Sequence, residues 1–567
     1  EKEYEPYAKQ IFGNTPEMIE FFSKKLNYDF PWQKYAQIVG RDYVSGAMEN
    51  TTAVIHEESA QQKAGDLADE NKWEDVIAHE LFHHWFGDLV TAESWSNLTV
   101  NESFADYSEY LWNEYKYGKD EADYKRLKSL RNSKADPRNF GKDLVRFNYE
   151  SREDMFDGVS YNKGGGILHM LRNYLGDDAF FAGLSDYLKT NEYGTGEAHQ
   201  LRLSLEKVSG KDLNWFFNQW YFGKGYPKLE VKSTFDPMKK QVTINVAQTQ
   251  EEKFEFPLSI DVLENGKISR KEVWVTAKAK NDFVFDVTKN PELINANPEG
   301  LLLSDIKQDK TPEQLFLQYT TAKDLYSKYT AIEEAKDQVS KNPFADKLYA
   351  AALKDKFYRN RLLALEGLPE DPKSFLADVE KLAQNDEKNL VKGAAIGVLA
   401  KTKNPKYLPL FEKGINAISN SVKGNSLSGI AQVAPEKVVN YAEKIDLESA
   451  SEDLVMTLLP VIVKNKITNQ MPNIASLVAF YPFIGFQNPK LAAPAEEGFN
   501  WIMDSDNTKA VHNLTKVLGQ AKSQIGDNVQ AKMMIVQMLK KGLERKMKLF
   551  RENPSSTSLN TQIEMLN

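Results

Sequence analysis

The stretch from His79 to Glu102, HELFHHWFGDLVTAESWSNLTVNE, constrains this chain more than any other. It opens on His79-Glu80-Leu81-Phe82-His83. In an α-helix four residues turn through about 400°, so His79 and His83 share one face, about 40° apart and one turn from each other. Two imidazoles so placed can ligate one zinc ion. Glu80 projects from the neighbouring face, beside the open side of such a metal, where a carboxylate can take a proton from water. His84 turns about 140° away from that face and is excluded as a ligand.

A catalytic zinc takes three protein ligands and keeps one position open. Glu102 is the candidate third ligand, eighteen residues beyond His83. Trp95-Ser96-Asn97-Leu98 reads as a turn region. Phe104, Tyr107, Leu111 and Tyr115 then recur at helical spacing, which predicts a second helix from about Asn101 with Glu102 in its first turn.

Two further motifs flank this stretch: Gly46-Ala47-Met48-Glu49-Asn50 before it and Tyr161-Asn162-Lys163-Gly164 after it. An extended backbone at Gly46-Ala47 can pair with a peptide as an added strand, and Gly46 permits close approach. Glu49 would then face the α-ammonium of that peptide and disfavour a blocked terminus. In order and spacing, H-E-x-x-H, eighteen residues, Glu, with G-x-M-E-N upstream and Y-x-K-G downstream, the chain resembles the M1 zinc aminopeptidases of the gluzincin clan. Trp85 and Gly87 fit the same pattern. The resemblance is specific over about residues 31–225 and architectural beyond that. It implies one zinc ion on His79, His83 and Glu102, Glu80 as general base and acid, and Tyr161 as a donor to the oxyanion. It also implies substrate contacts from Gly46, Ala47, Met48 and Glu49, and peptides with a free N-terminus as substrates.

The fold expected is multidomain and mainly α. A thermolysin-like α+β catalytic domain spans 1–226, a small β-sandwich 227–306, and a helical HEAT- or armadillo-like domain 307–567. The sandwich is read from the period-two runs Leu229–Val231, Val242–Val246 and Leu258–Val262, with Asn265-Gly266 as a type I′ hairpin turn. Amphipathic segments at Pro343–Leu368, Phe375–Leu399, Lys406–Ile418 and Asn528–Phe550 predict the helical part. Asn71 is the expected N-cap of the His79 helix, and Ile19, Phe21, Phe22 and Leu26 the apolar face of a helix starting at Thr15-Pro16. The residues from Pro554 are expected to be poorly ordered.

With 567 residues the chain is too long for one core. A net charge of −9 argues against a nucleic-acid partner. The absence of cysteine excludes disulfides, thiol catalysis and cysteine-bound zinc. No run reaches the roughly 18 apolar residues that span a bilayer, so a soluble protein is expected, cytoplasmic or periplasmic/secreted, with a monomer favoured. Glu1-Lys2-Glu3-Tyr4-Glu5 lacks an initiating Met, which points to a piece of a longer protein. The N-terminal β-sandwich usual in the family has no room before Gly46.

Two rival functions follow from the same residues. One is a non-catalytic peptide-binding scaffold. The other is epoxide hydrolysis of the leukotriene A4 hydrolase type, where the positions equivalent to an Asp and a Tyr are Glu153 and Phe156. Phe156 lacks the hydroxyl that reaction uses.

Overall fold

Pro16 fixes φ in the first turn of α1 (Thr15–Leu26), and Asn27 ends the helix in the left-handed region at φ 47°. The computed structural model describes residues 1–447, 452–524 and 529–566. It divides into two compact units, one of Glu1–Gln62 with Asn71–Gly367, the other of Lys63–Glu70 with Leu368–Asn567. α1 buries Met18, Phe22 and Leu26. The face is one step round from the expected one: Phe21 stacks on Tyr115 with ring centroids 4.3 Å apart.

In the first unit β3 (Ala53–Glu57) is the centre of a three-stranded sheet. β1 (Ala36–Gly40) pairs with it in parallel and β2 (Ala47–Met48) antiparallel, with Ala47 opposite His56. β2 is thus an edge. α2 (Glu74–Phe82) follows, then α3 (Thr99–Tyr117), α4 (Lys119–Ala135), a π-turn at Val159–Lys163 and α5 (Gly164–Leu175). Asn71 is not the cap of α2, which starts after Trp73. Its Oδ1 accepts from Gln62 Nε2 and from Trp73 N at 2.7 and 3.1 Å, so it closes the preceding turn.

The period-two segments form two small sheets. One has β10 (Lys280–Asp286), β7 (Gln241–Gln248), β6 (Lys228–Asp236) and β12 (Asp305–Lys307) in that order; the other has β11 (Leu293–Ala296), β8 (Phe256–Glu264) and β9 (Lys267–Val275). Alternate residues Val242, Ile244 and Val246 are buried, as the pleat requires. Asn265 and Gly266 turn β8 into β9 at φ 53° and 69°, both positive as a type I′ turn demands. Helices Pro312–Thr321, Leu325–Ala335, Pro343–Ala352 and Tyr358–Gly367 also belong to this unit. Arg131 grips Glu333 with two 2.6 Å hydrogen bonds, and Leu127 of α4 packs with Leu325 and Tyr329.

The second unit is helical. Asn389–Lys401 packs on both Leu376–Asn385 and Asn420–Val433, and the last of these packs on Glu452–Lys464. Lys63–Glu70 belongs here because its polar groups are used here: Asn389 Nδ2 donates to Ala68 O at 2.8 Å, and the Ser421 amide to Asp69 Oδ2 at 2.9 Å. Two expected long helices are each broken in two. Asp355 Oδ1 accepts from Phe357 N at 2.8 Å and Asp386 Oδ1 from Lys388 N at 2.9 Å, Asx turns that compete with the helical ladder. The expectation of disorder from Pro554 is corrected: Thr557–Leu566 is a helix that buries Leu559, Gln562 and Leu566, with Gln562 Nε2 donating to Thr508 Oγ1. Of the helix expected over Asn528–Phe550, Asn528 lies outside the described residues; from Val529 it runs on to Glu552. Among the described residues no helix is long and apolar enough to cross a membrane.

Candidate metal centre and active-site cleft

α2 and α3 pack together, and this packing brings three side chains to one point. Glu102 Oε2 lies 3.4 Å from His79 Nε2 and 3.3 Å from His83 Nε2. These three residues form a cluster able to hold a metal ion, and all three are buried. Each imidazole is fixed from behind. His79 Nδ1 is 3.0 Å from Glu109 Oε1 and His83 Nδ1 3.0 Å from Phe86 O. Both acceptors favour a proton on Nδ1, which leaves Nε2 as the atom that faces the cluster and can ligate a cation once its own proton is released. Glu102 Oε2 is buried and makes no hydrogen bond of standard geometry; its nearest polar neighbours are the two Nε2 atoms, so all three donor atoms face one point. Two imidazoles, neutral once their protons are released, and one carboxylate make a donor set that fits zinc.

Glu80 stands beside the cluster with Oε2 also buried and unpartnered. Burial pushes its carboxyl up to about 7, against the pull of His79 and His83 and with help from Glu49 and Glu102. Tyr161 lies with its ring parallel to that of His79, centroids 5.8 Å apart and 8° between planes. Burial, then the Glu102 carboxylate, raises its pKa far above the usual phenol range, so the hydroxyl stays a donor.

The Tyr161 turn is fastened to α3. Ser103 Oγ donates to Ser160 O at 2.6 Å, and Asn162 Nδ2 to Asp106 Oδ1 at 2.8 Å. Gly164 and Gly165 make this contact possible: a Cβ on them would meet Ser103 Oγ at 1.8 Å and Asp106 Oδ2 at 2.2 Å. Neither Ser103 nor Asp106 was legible as a site residue, because these pairings span more than fifty positions. Glu109 was legible: it follows Glu102 by seven residues, two helical turns on the same face.

A cleft of about 1590 Å³ opens over these groups. Its walls include Gly46, Ala47, Met48, Glu49, His79, Glu80, His83, Glu102 and Tyr161. All nine residues predicted from the sequence thus meet in one place. Gly46 leaves open space where a Cβ would stand, and β2 offers its free edge to the cleft. His84 does not face the cluster. Its Nε2 accepts from Thr52 N at 3.0 Å, which ties the end of α2 to the segment after Glu49. Burial lowers His84 to about 4 and keeps it neutral for that task. Trp95, Arg152, Glu153 and Phe156 form another part of the wall. Glu153 is paired with Arg152 at 2.9 Å.

A helix carrying paired histidines and a glutamate from the next helix thus meet on the wall of one cleft. Residues 11–220 match the family model described as Peptidase family M1 domain. The chain is similar to aminopeptidase N of Streptomyces lividans, 33% identical over 230 residues, which cover 38% of this chain and 26% of that protein. It is similar to the leucyl aminopeptidase of Saccharolobus solfataricus, 28% identical over 310 residues, covering 52% and 38%. The matched segments thus span well under half the length of these relatives. The crystal structure of Legionella pneumophila aminopeptidase A in complex with aspartic acid shares the fold, with a TM-score of 0.63 at 17% identity, over 99% of this chain and 73% of that one.

Proposed function

We propose that the chain is a zinc-dependent aminopeptidase that removes N-terminal residues from peptides. In this reading 1–226 is the catalytic domain, 227–306 a β-sandwich and 307–567 a HEAT-like helical domain. The observation that carries it is the convergence of His79, His83 and a buried Glu102 oxygen inside a cleft edged by β2 and Glu49. His79, His83 and Glu102 hold the metal, which when bound supplies Lewis acidity toward a water and the scissile carbonyl. Glu80 accepts the proton of the attacking water and returns it to the leaving amine. The Tyr161 hydroxyl donates to the oxyanion. Glu49 pairs with the substrate's α-ammonium, while Gly46, Ala47 and Met48 align its backbone along the β2 edge.

The test is turnover of matched free and N-acetylated aminoacyl amides, with zinc measured on the same sample. Free substrates are expected to turn over and acetylated ones not, with activity lost to a chelator and restored by zinc. Equal turnover of both forms would remove the Glu49 clamp; no effect of the chelator would remove the metal.

Metal uptake is also expected to depend on pH. Burial disfavours charge on His83, but the Glu49 and Glu102 carboxylates outweigh it and hold the metal-free imidazole up at about 10. Below that value ligation must release the proton. Burial disfavours charge on His79 too, but the Glu102 and Glu109 carboxylates hold it well above the ordinary imidazole range. A proton thus leaves each ring on ligation, and apparent zinc affinity is expected to rise by at least about tenfold per pH unit from pH 6 to 8. Competition with a chromophoric chelator reads this, and a flat profile would exclude His83 as a ligand.

A further inference from the structure

A second cavity, of about 390 Å³, shares no lining residue with the metal cleft. Among its walls are Lys134, Phe140, Lys163, Tyr226 and Lys228. Two carboxylates also line it, and both are already neutralised. Asp136 is gripped by the Arg138 guanidinium at 2.7 Å, and Asp305 takes the Lys134 ammonium at 2.8 Å.

Two cations are left over. Lys163 is only 4% exposed, yet among the described residues the one acceptor for its ammonium is Lys142 O at 3.3 Å. An ammonium carries three donors, so this leaves most of its hydrogen-bonding capacity unused. The acids facing it are Asp143, beyond ion-pair distance among the described residues, and Asp157, which is occupied by Lys142 at 2.5 Å and Arg146 at 2.9 Å. Burial accordingly pulls Lys163 down to about 8. Lys228 sits over the Phe140 ring at 4.2 Å, with no carboxylate within 4.0 Å among the described residues. The rest of the wall is mixed: Phe140 and Tyr226 meet edge to face at 5.0 Å, flanked by Leu130, Pro137 and Leu303, while Ser133 and Asn139 are polar and the buried Asn139 Oδ1 has no hydrogen-bond partner among the described residues.

A buried ammonium as poorly satisfied as Lys163 is stabilised by an anion, the half-buried Lys228 adds a second positive charge to the same cavity, and the apolar part of the wall favours an anion with an apolar body. We propose that this cavity binds a small organic carboxylate, its anionic head taken by Lys163 and Lys228 and its body packed on Phe140 and Tyr226. Inorganic phosphate would satisfy the ammonium groups but leave the rings uncovered. A neutral isostere would cover the rings but leave the ammonium groups unmet. The site stands apart from the metal cleft, so the proposal does not depend on the peptidase reading.

The test is calorimetric titration of the full chain with benzoate, benzamide and phosphate, after the protein is stripped of metal so that carboxylate cannot bind a metal ion. Benzoate is expected to bind saturably at one site, with benzamide and phosphate at least about tenfold weaker. Lys228→Gln, a change at a partly exposed position, is expected to weaken benzoate about tenfold or more. Absence of saturable benzoate binding, benzamide or phosphate binding as tight as benzoate, or unchanged affinity in a folded Lys228→Gln protein would each overturn the proposal. The comparison of the three ligands on the unaltered chain stands even if the variant does not fold.

Discussion

Glu80→Gln is expected to leave zinc binding intact and to lower turnover of aminoacyl amides by about 10²- to 10⁴-fold. The substitution is nearly isosteric and spares the ligand cluster of His79, His83 and Glu102. What it removes is the acceptor for a proton: a carboxamide cannot carry hydrogen from water to a leaving amine. Retained turnover would take Glu80 out of the mechanism. A second readout separates this from damage to the fold. Because burial raises the Glu80 pKa to about 7 in the metal-free chain, the folded state binds a proton there that the unfolded state has already lost. Folded stability thus falls as pH rises from the ordinary carboxylate range to about 7. The metal-free Glu80→Gln chain is expected to melt higher than its parent at pH 8, and the difference to shrink at pH 4.

Tyr161→Phe is expected to cost about 100- to 1,000-fold in kcat with little change in KM, the loss typical of one missing oxyanion donor. The ring can keep its parallel contact with His79. The turn that carries it is held by Ser103 and Asp106, not by the phenol. Only the hydroxyl is lost, and burial beside Glu102 ensures that the hydroxyl is protonated in the parent. Steady-state kinetics on the same amide panel decide the matter: a kcat within threefold of the parent would assign the oxyanion contact elsewhere.

Features governed by neighbours in sequence were legible in advance. The His79–His83 spacing followed from the helical repeat, and the Asn265-Gly266 turn from the need for two positive φ angles. Glu109 could have been added by the same logic, two turns from Glu102. The helix breaks at Asp355 and Asp386 were readable in principle, since short acidic side chains favour Asx turns, but the apolar periodicity on both sides masked them. The order of Thr557–Leu566 was not legible, because it depends on the distant Thr508 and on burial of Leu559 and Leu566.

The sequence alone therefore determined which residues can ligate, which can move a proton and which strand edge can meet a peptide, because side-chain chemistry and backbone period are local properties. Only the tertiary structure decided that Glu102 swings back to within 3.4 Å of both imidazoles, that Tyr161 lies flat against His79, and that the His84 ring, already excluded as a ligand, takes its hydrogen bond from Thr52. It also decided that Lys63–Glu70 belongs with the second unit. Each of these is a contact between segments far apart in the chain. It is fixed by how apolar faces pack and how buried polar groups find partners, and neither is written in any single window of sequence.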